Sequence, residues 1–107
     1  MTRPIRLAIL GATGSIGRQA LDVVRAHPDR LRVVALGANR NNDQLRELAS
    51  EFPAARTALG PNALLALATD ADADLVLVAT PGVAALRATI AALEAGKSVA
   101  LANKEVL

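Results

Sequence analysis

Along the chain, short apolar runs rich in β-branched residues alternate with longer stretches in which apolar residues return every three or four positions. The runs fall at Ile5–Leu10, Leu31–Ala38, 75–80 and 97–102. Each has strand length and is apolar at successive positions, as in strands covered on both faces. Between them the period is helical. Ile16, Ala20, Leu21 and Val24 predict one buried face of a helix over Ser15–Ala26, stopped near His27 by Pro28. Leu45, Leu48, Ala49 and Phe52 predict a second helix over 43–52, capped from the Asn41, Asn42, Asp43 run. A short edge strand over 55–59, a short helix over Pro61–Ala68 with proline in its first turn, and an Ala-rich helix from the Pro81-Gly82 turn to about Ala95 complete the pattern. Strands alternating with helices are the signature of βαβ units, so the expected fold is α/β, a Rossmann-like, doubly wound parallel sheet in a single domain.

Composition agrees. At 107 residues the chain has room for one domain, and with 52% hydrophobic residues but Phe52 as its one aromatic, the core must be Ala, Val, Leu and Ile. The formal charge is +2, and the arginines are scattered from Arg3 to Arg87 without a basic run, which argues against nucleic acid as a partner. With no cysteine there is neither a disulfide framework nor a thiolate site, in keeping with a cytoplasmic setting. No uncharged stretch reaches the roughly 20 residues that span a bilayer, so no membrane role is expected. Arg3 and Arg6 precede an apolar run too short for a secretion signal; a buried first strand is expected there instead.

The chemistry is concentrated where the first strand ends. Leu10 runs into Gly11-Ala12-Thr13-Gly14-Ser15-Ile16-Gly17, a G-x-x-G-x-x-G loop opening a helix. Gly11 allows the turn off the strand, Gly14 lets backbone amides approach a pyrophosphate, and Gly17 lets the helix pack closely. The helix start then offers free N–H groups and a positive dipole end. About 20 residues further on, an acid would accept the ribose 2′-OH of NAD, whereas an arginine accommodates the 2′-phosphate of NADP. That place holds Asn39, Arg40 and Asn41, with no acid at the strand end, so NADPH is the expected cofactor. The last strand ends in Asn103, Lys104 and Glu105, polar residues at the edge where a doubly wound sheet forms its ligand crevice.

Three segments, G-A-T-G-S-I-G at 11–17, V-V-A-L-G-A-N-R-N at 33–41 and G-K-x-x-A-L-A-N-K-E at 96–105, closely resemble the 1-deoxy-D-xylulose-5-phosphate reductoisomerase family. The resemblance covers nearly the whole chain in order. It implies an oxidoreductase that rearranges 1-deoxy-D-xylulose 5-phosphate and reduces it with NADPH to 2-C-methyl-D-erythritol 4-phosphate, in non-mevalonate isoprenoid biosynthesis. Carried over residue by residue, it implies that Gly11, Thr13, Gly14, Ser15, Ile16 and Gly17 line the pyrophosphate, and that Asn39, Arg40 and Asn41 hold the adenosine ribose and its 2′-phosphate. Asn103 and Glu105 would contact the cofactor nearer its reactive end, and Lys104 the sugar phosphate substrate.

Members of that family are several times longer, are homodimers and bind Mg²⁺ or Mn²⁺ through carboxylates placed after the Asn-Lys-Glu segment. Residues 1–107 are therefore expected to form an isolated NADPH-binding domain that holds neither catalytic residue nor metal ligand and cannot turn over substrate alone. Two departures stand out: residues 52–74 are shorter than in many members, and Ala79-Thr80-Pro81-Gly82 replaces a glycine-rich segment. A homoserine-dehydrogenase-like cofactor domain and a stand-alone NADP-binding or sensing module are the alternatives. Asp70, Asp72 and Asp74 lack the ligand pattern of a calcium loop and predict a solvated loop. His27, the one histidine, predicts a cap or a solvated position.

Overall fold

The computed structural model describes residues 3–102. In chain order they form β1 (Ile5–Leu10), α1 (Ser15–Ala26), β2 (Leu31–Ala38), α2 (Asn42–Glu51), β3 (Arg56–Leu59), α3 (Pro61–Ala68), β4 (Leu75–Val78), α4 (Val83–Glu94) and β5 (Ser98–Leu101). The strands make one sheet in the order β3-β2-β1-β4-β5, with every pair parallel. The direction of winding reverses between β1 and β4, where open α/β sheets form their crevice.

Alternation along the central strands sends side chains to two cores. Leu7 and Ile9 of β1 join Leu21, Val24 and Leu45 beneath α1 and α2. Ala8 and Leu10 join Leu64, Leu67, Ala85, Ala88 and Ala92 beneath α3 and α4. Small alanines on α4 let that helix lie close to the sheet, which is how a core with one aromatic fills its volume. Strict alternation fails once: the β1–β2 register slips between Leu7 and Ala8, so Val34 and Ala35 both face the α3 and α4 side. The slip brings Gly37 to face α3, where a Cβ would overlap the Leu64 side chain.

The apolar face of α1 is rotated from the expected one. Gly17, Leu21 and Val24 are its buried residues, while Ile16 is 43% exposed. Gly17 takes the innermost place because α1 lies against the glycine loop, where a Cβ at 17 would overlap the Gly11 carbonyl oxygen. On α2, only Leu45 is buried; Leu48, Ala49 and Phe52 are half-buried, under the covering Arg25 guanidinium 5.8 Å from the Phe52 ring centre. The strands over 55–59, 75–80 and 97–102 form as Arg56–Leu59, Leu75–Val78 and Ser98–Leu101, one or two residues shorter than expected. His27 is the C-cap of α1, its N–H donating to Val23 and Val24.

The acidic run is not a solvated loop. Asp70 is buried and accepts from the Arg56 guanidinium at 2.6 and 2.7 Å and from the Asp72 N–H at 2.8 Å. Asp74 accepts the Arg6 backbone N–H at 2.9 Å and the Arg6 and Arg3 guanidinium groups at 3.1 to 3.2 Å. Period and spacing could not show that arginines 14 to 71 positions away would converge on this corner. Side-chain and backbone hydrogen bonds from Arg6 hold the Asp74 carboxyl at about 2, below its ordinary 3.8. All three acids lie around the N-terminal edge of the sheet, opposite the crevice.

Candidate functional site

At the crevice edge, β1 ends and the backbone turns at Gly11, whose φ of +93° suits glycine. The Gly11 and Ala12 N–H groups both donate to the Gly37 carbonyl at 2.9 Å, tying the loop to β2. On the other side a Cβ at Gly11 would lie 2.8 Å from the Ala79 carbonyl carbon, so the loop is wedged into the switch point between β1 and β4. Gly14 differs from both neighbouring glycines of the motif. Its φ is −79°, and the one atom near a Cβ there is the Gly11 oxygen at 3.6 Å, an ordinary contact. Nothing in the fold itself demands glycine at 14.

Gly14 is also the N-cap of α1, and no side chain caps this helix. The first intrahelical bond described runs from the Arg18 N–H to the Gly14 carbonyl at 2.9 Å, so the N–H groups of Ser15, Ile16 and Gly17 point out of the helix start. By contrast α2 is closed: the Asn41 side-chain oxygen accepts from the Gln44 N–H at 3.1 Å. The Asn41 side-chain oxygen is thus engaged in the cap, and its amide nitrogen is not. Asn39 and Arg40 are exposed at the end of β2, and Arg40 is in no ion pair among the described residues. Thr13, half-buried, completes the loop wall.

The structure therefore brings Gly11, Thr13, Gly14, Ser15, Ile16 and Gly17 to one edge with Asn39, Arg40 and Asn41. Exposure of Ile16, unexpected for a core residue, places it at the open end of α1. Asn103, Lys104 and Glu105 lie outside the described residues; β5, whose last hydrogen bond runs from the Ala102 N–H to Val78, leads toward the same edge. Arg18 is exposed and lines a cleft with Thr13 beside α2. Among the described residues no three acids or histidines are grouped to hold a metal.

The family model for 1-deoxy-D-xylulose 5-phosphate reductoisomerase matches residues 7–59 and 53–107. The chain belongs to the 1-deoxy-D-xylulose 5-phosphate reductoisomerase family. A reductoisomerase from Leifsonia xyli subsp. xyli is 51% identical over 102 residues, covering 95% of this chain and 28% of its own length. One from Thermomicrobium roseum is 45% identical over 115 residues, 92% of this chain and 30% of the relative. The chain thus spans about 30% of the length of the reductoisomerases it matches. Among solved structures, a reductoisomerase from Zymomonas mobilis described as in complex with NADPH superposes with a TM-score of 0.86 at 37% identity, over 98% of this chain and 33% of that one. Another, described as in complex with magnesium, gives 0.89 at 37% identity. An NAD-binding oxidoreductase from Klebsiella pneumoniae, at 23% identity and a TM-score of 0.72, shares the fold. The two matched pieces overlap at 53–59, and the 115-residue alignment is longer than this chain, so some reductoisomerases carry residues that this one lacks. The Leifsonia alignment, of 102 residues, shows the compact form in a relative too.

Proposed function

We propose that residues 1–107 form the NADPH-binding domain of a reductoisomerase that converts 1-deoxy-D-xylulose 5-phosphate to 2-C-methyl-D-erythritol 4-phosphate, its metal and most substrate contacts being supplied by other parts of a longer enzyme. One observation carries the reading. At the switch point, an uncapped helix start begins at Gly14, where a Cβ would meet only an ordinary contact, next to a strand end that offers Arg40 and no acid. A pyrophosphate fits the first feature, because backbone amides and a helix dipole favour an anion approaching a residue without Cβ. A ribose 2′-phosphate fits the second, since a guanidinium donates paired hydrogen bonds to a dianion.

In this reading Thr13, Gly14, Ser15 and Ile16 surround the pyrophosphate, while Asn39, Arg40 and the Asn41 amide hold the adenosine ribose and 2′-phosphate. Asn103 and Glu105 would fix the nicotinamide half, and Lys104 would hold the substrate phosphate as a compact cation. NADPH, when bound, supplies the hydride. Among the described residues no three acids or histidines are grouped to hold Mg²⁺ or Mn²⁺, and Asp70 and Asp74 are each paired with an arginine. The full enzyme is a cytoplasmic homodimer in this proposal.

Calorimetric titration with NADPH and NADH, repeated on Arg40→Ala, tests it. NADPH should bind in clear preference to NADH, and the substitution should weaken NADPH roughly tenfold to a hundredfold, the worth of a charge-assisted hydrogen bond at about 1.5–3 kcal/mol. Equal binding of NADH, or indifference to Arg40, would sink the assignment of the 2′-phosphate.

A further inference from the structure

We propose that Arg18 is a second cation for the ribose 2′-phosphate, acting across a small cleft between the glycine loop and α2; this rests on the NADPH reading above. The cleft has a volume of about 110 Å³ and is lined by Thr13, Arg18, Gln44, Glu47 and Leu48. It is far smaller than the several hundred Å³ of a nucleotide pocket, but it has the scale of a single anionic group at the margin of one. Its two walls are the two elements the adenosine end must touch. Thr13 belongs to the loop that receives the pyrophosphate, and the Gln44 N–H donates to the Asn41 side chain, one residue beyond Arg40. A dinucleotide running from the helix start of α1 to the end of β2 passes this gap.

The charges point the same way. Arg3, Arg6, Arg25 and Arg56 are each committed to acids elsewhere, whereas Arg18 is in no ion pair among the described residues. It stands in the second turn of α1, its backbone N–H satisfied by Gly14 at 2.9 Å, so its side chain is its one free function. Glu47 lines the same cleft without reaching ion-pair distance of Arg18, and Asp43 lies in the first turn of α2. With these two acids nearby, Arg40 alone leaves a dianion poorly balanced. Arg18 supplies the missing positive charge and offsets the repulsion between the phosphate and Glu47.

Affinities of the chain for NADPH, NADH, adenosine 2′,5′-bisphosphate and AMP, measured for the unsubstituted protein, Arg18→Gln and Glu47→Gln, test this. Arg18→Gln should weaken NADPH and the bisphosphate roughly five- to tenfold, between a solvated pair and a full charge-assisted bond, and leave NADH and AMP unchanged. Glu47→Gln should shift the same two ligands in the opposite direction, roughly two- to threefold tighter. Loss of NADH and NADPH binding in parallel would make Arg18 a structural residue of the loop and overturn the inference, as would NADPH binding indifferent to both changes. If the unsubstituted chain prefers NADPH while neither variant alters that preference, the NADPH reading stands and the role of Arg18 falls. No NADPH preference in the unsubstituted chain removes both.

Discussion

Gly11, Gly14 and Gly17 share a motif but not a reason. A Cβ at 17 collides with the Gly11 carbonyl and one at 11 meets the backbone of Ala79, so these two glycines answer to the fold. Gly14, with a negative φ and a nearest contact of 3.6 Å, does not. Gly14→Ala should therefore cost no more than about 1 kcal/mol, the difference between glycine and alanine at a helix N-cap, yet weaken NADPH by an order of magnitude or more through its methyl group in the phosphate path. Gly17→Ala should destabilise by roughly 1–3 kcal/mol, as overpacking does, with the binding loss secondary. Thermal melts paired with titrations separate the cases; a destabilised Gly14→Ala protein that still binds would reverse the roles. The spacing of the three glycines was legible in the sequence, and so was the place of Arg40 just past the end of β2. What each glycine is for was not, because that depends on which carbonyl lies opposite its missing Cβ.

Strands and helices were legible wherever burial is governed by period. The β1 and β2 limits and the α1 and α3 limits follow from the apolar pattern, the proline at the start of α3 and the glycine turns. The misreadings have local causes. The slip opposite Leu7 puts Val34 and Ala35 on one face, which no period of two contains, and close packing of α1 gives its inner place to Gly17 instead of Ile16. Long-range ion pairing was invisible. Asp74 joins the start of β4 to β1 through Arg6 and to Arg3 just before it, and its carboxyl is held at about 2 instead of 3.8 by the Arg6 hydrogen bonds. Because its folded value is depressed, this acid contributes stability that is fully present above about pH 4 and is lost as pH falls from 3.8 toward 2. Asp74→Asn should remove that part of the acid sensitivity, so the stability difference between the native chain and the variant should shrink from pH 5 to pH 2. Denaturant melts across that range check it; a constant difference would show that charge at Asp74 does not matter to the fold.

At the scale of the molecule, the sheet separates two tasks. Its N-terminal edge carries the Asp70, Asp72 and Asp74 ion pairs, its C-terminal edge carries the glycine loop and Arg40, and the two cores lie on opposite faces between them. A ligand that binds the folded chain raises its stability by an amount set by its concentration relative to Kd, about 2.7 kcal/mol at a hundredfold excess. For a domain of this size that is a rise of roughly 10–20 °C in melting temperature. Arg40, exposed and in no ion pair among the described residues, belongs to the proposed site and does not support the core. Val76, fully buried on the α3 and α4 face, does the reverse. Arg40→Ala should thus leave the ligand-free melting temperature in place and lose most of the increment from NADPH. Val76→Ala should lower the ligand-free temperature, through roughly 1.5–3 kcal/mol of lost burial and cavity, and retain the increment, because linkage depends on Kd and not on how stable the fold is. Scans with and without NADPH read both quantities at once. If Val76→Ala also abolished the NADPH increment, the core under α3 and α4 would be coupled to the glycine loop, and the Leu64–Gly37–Gly11 line of contacts would be the route to examine.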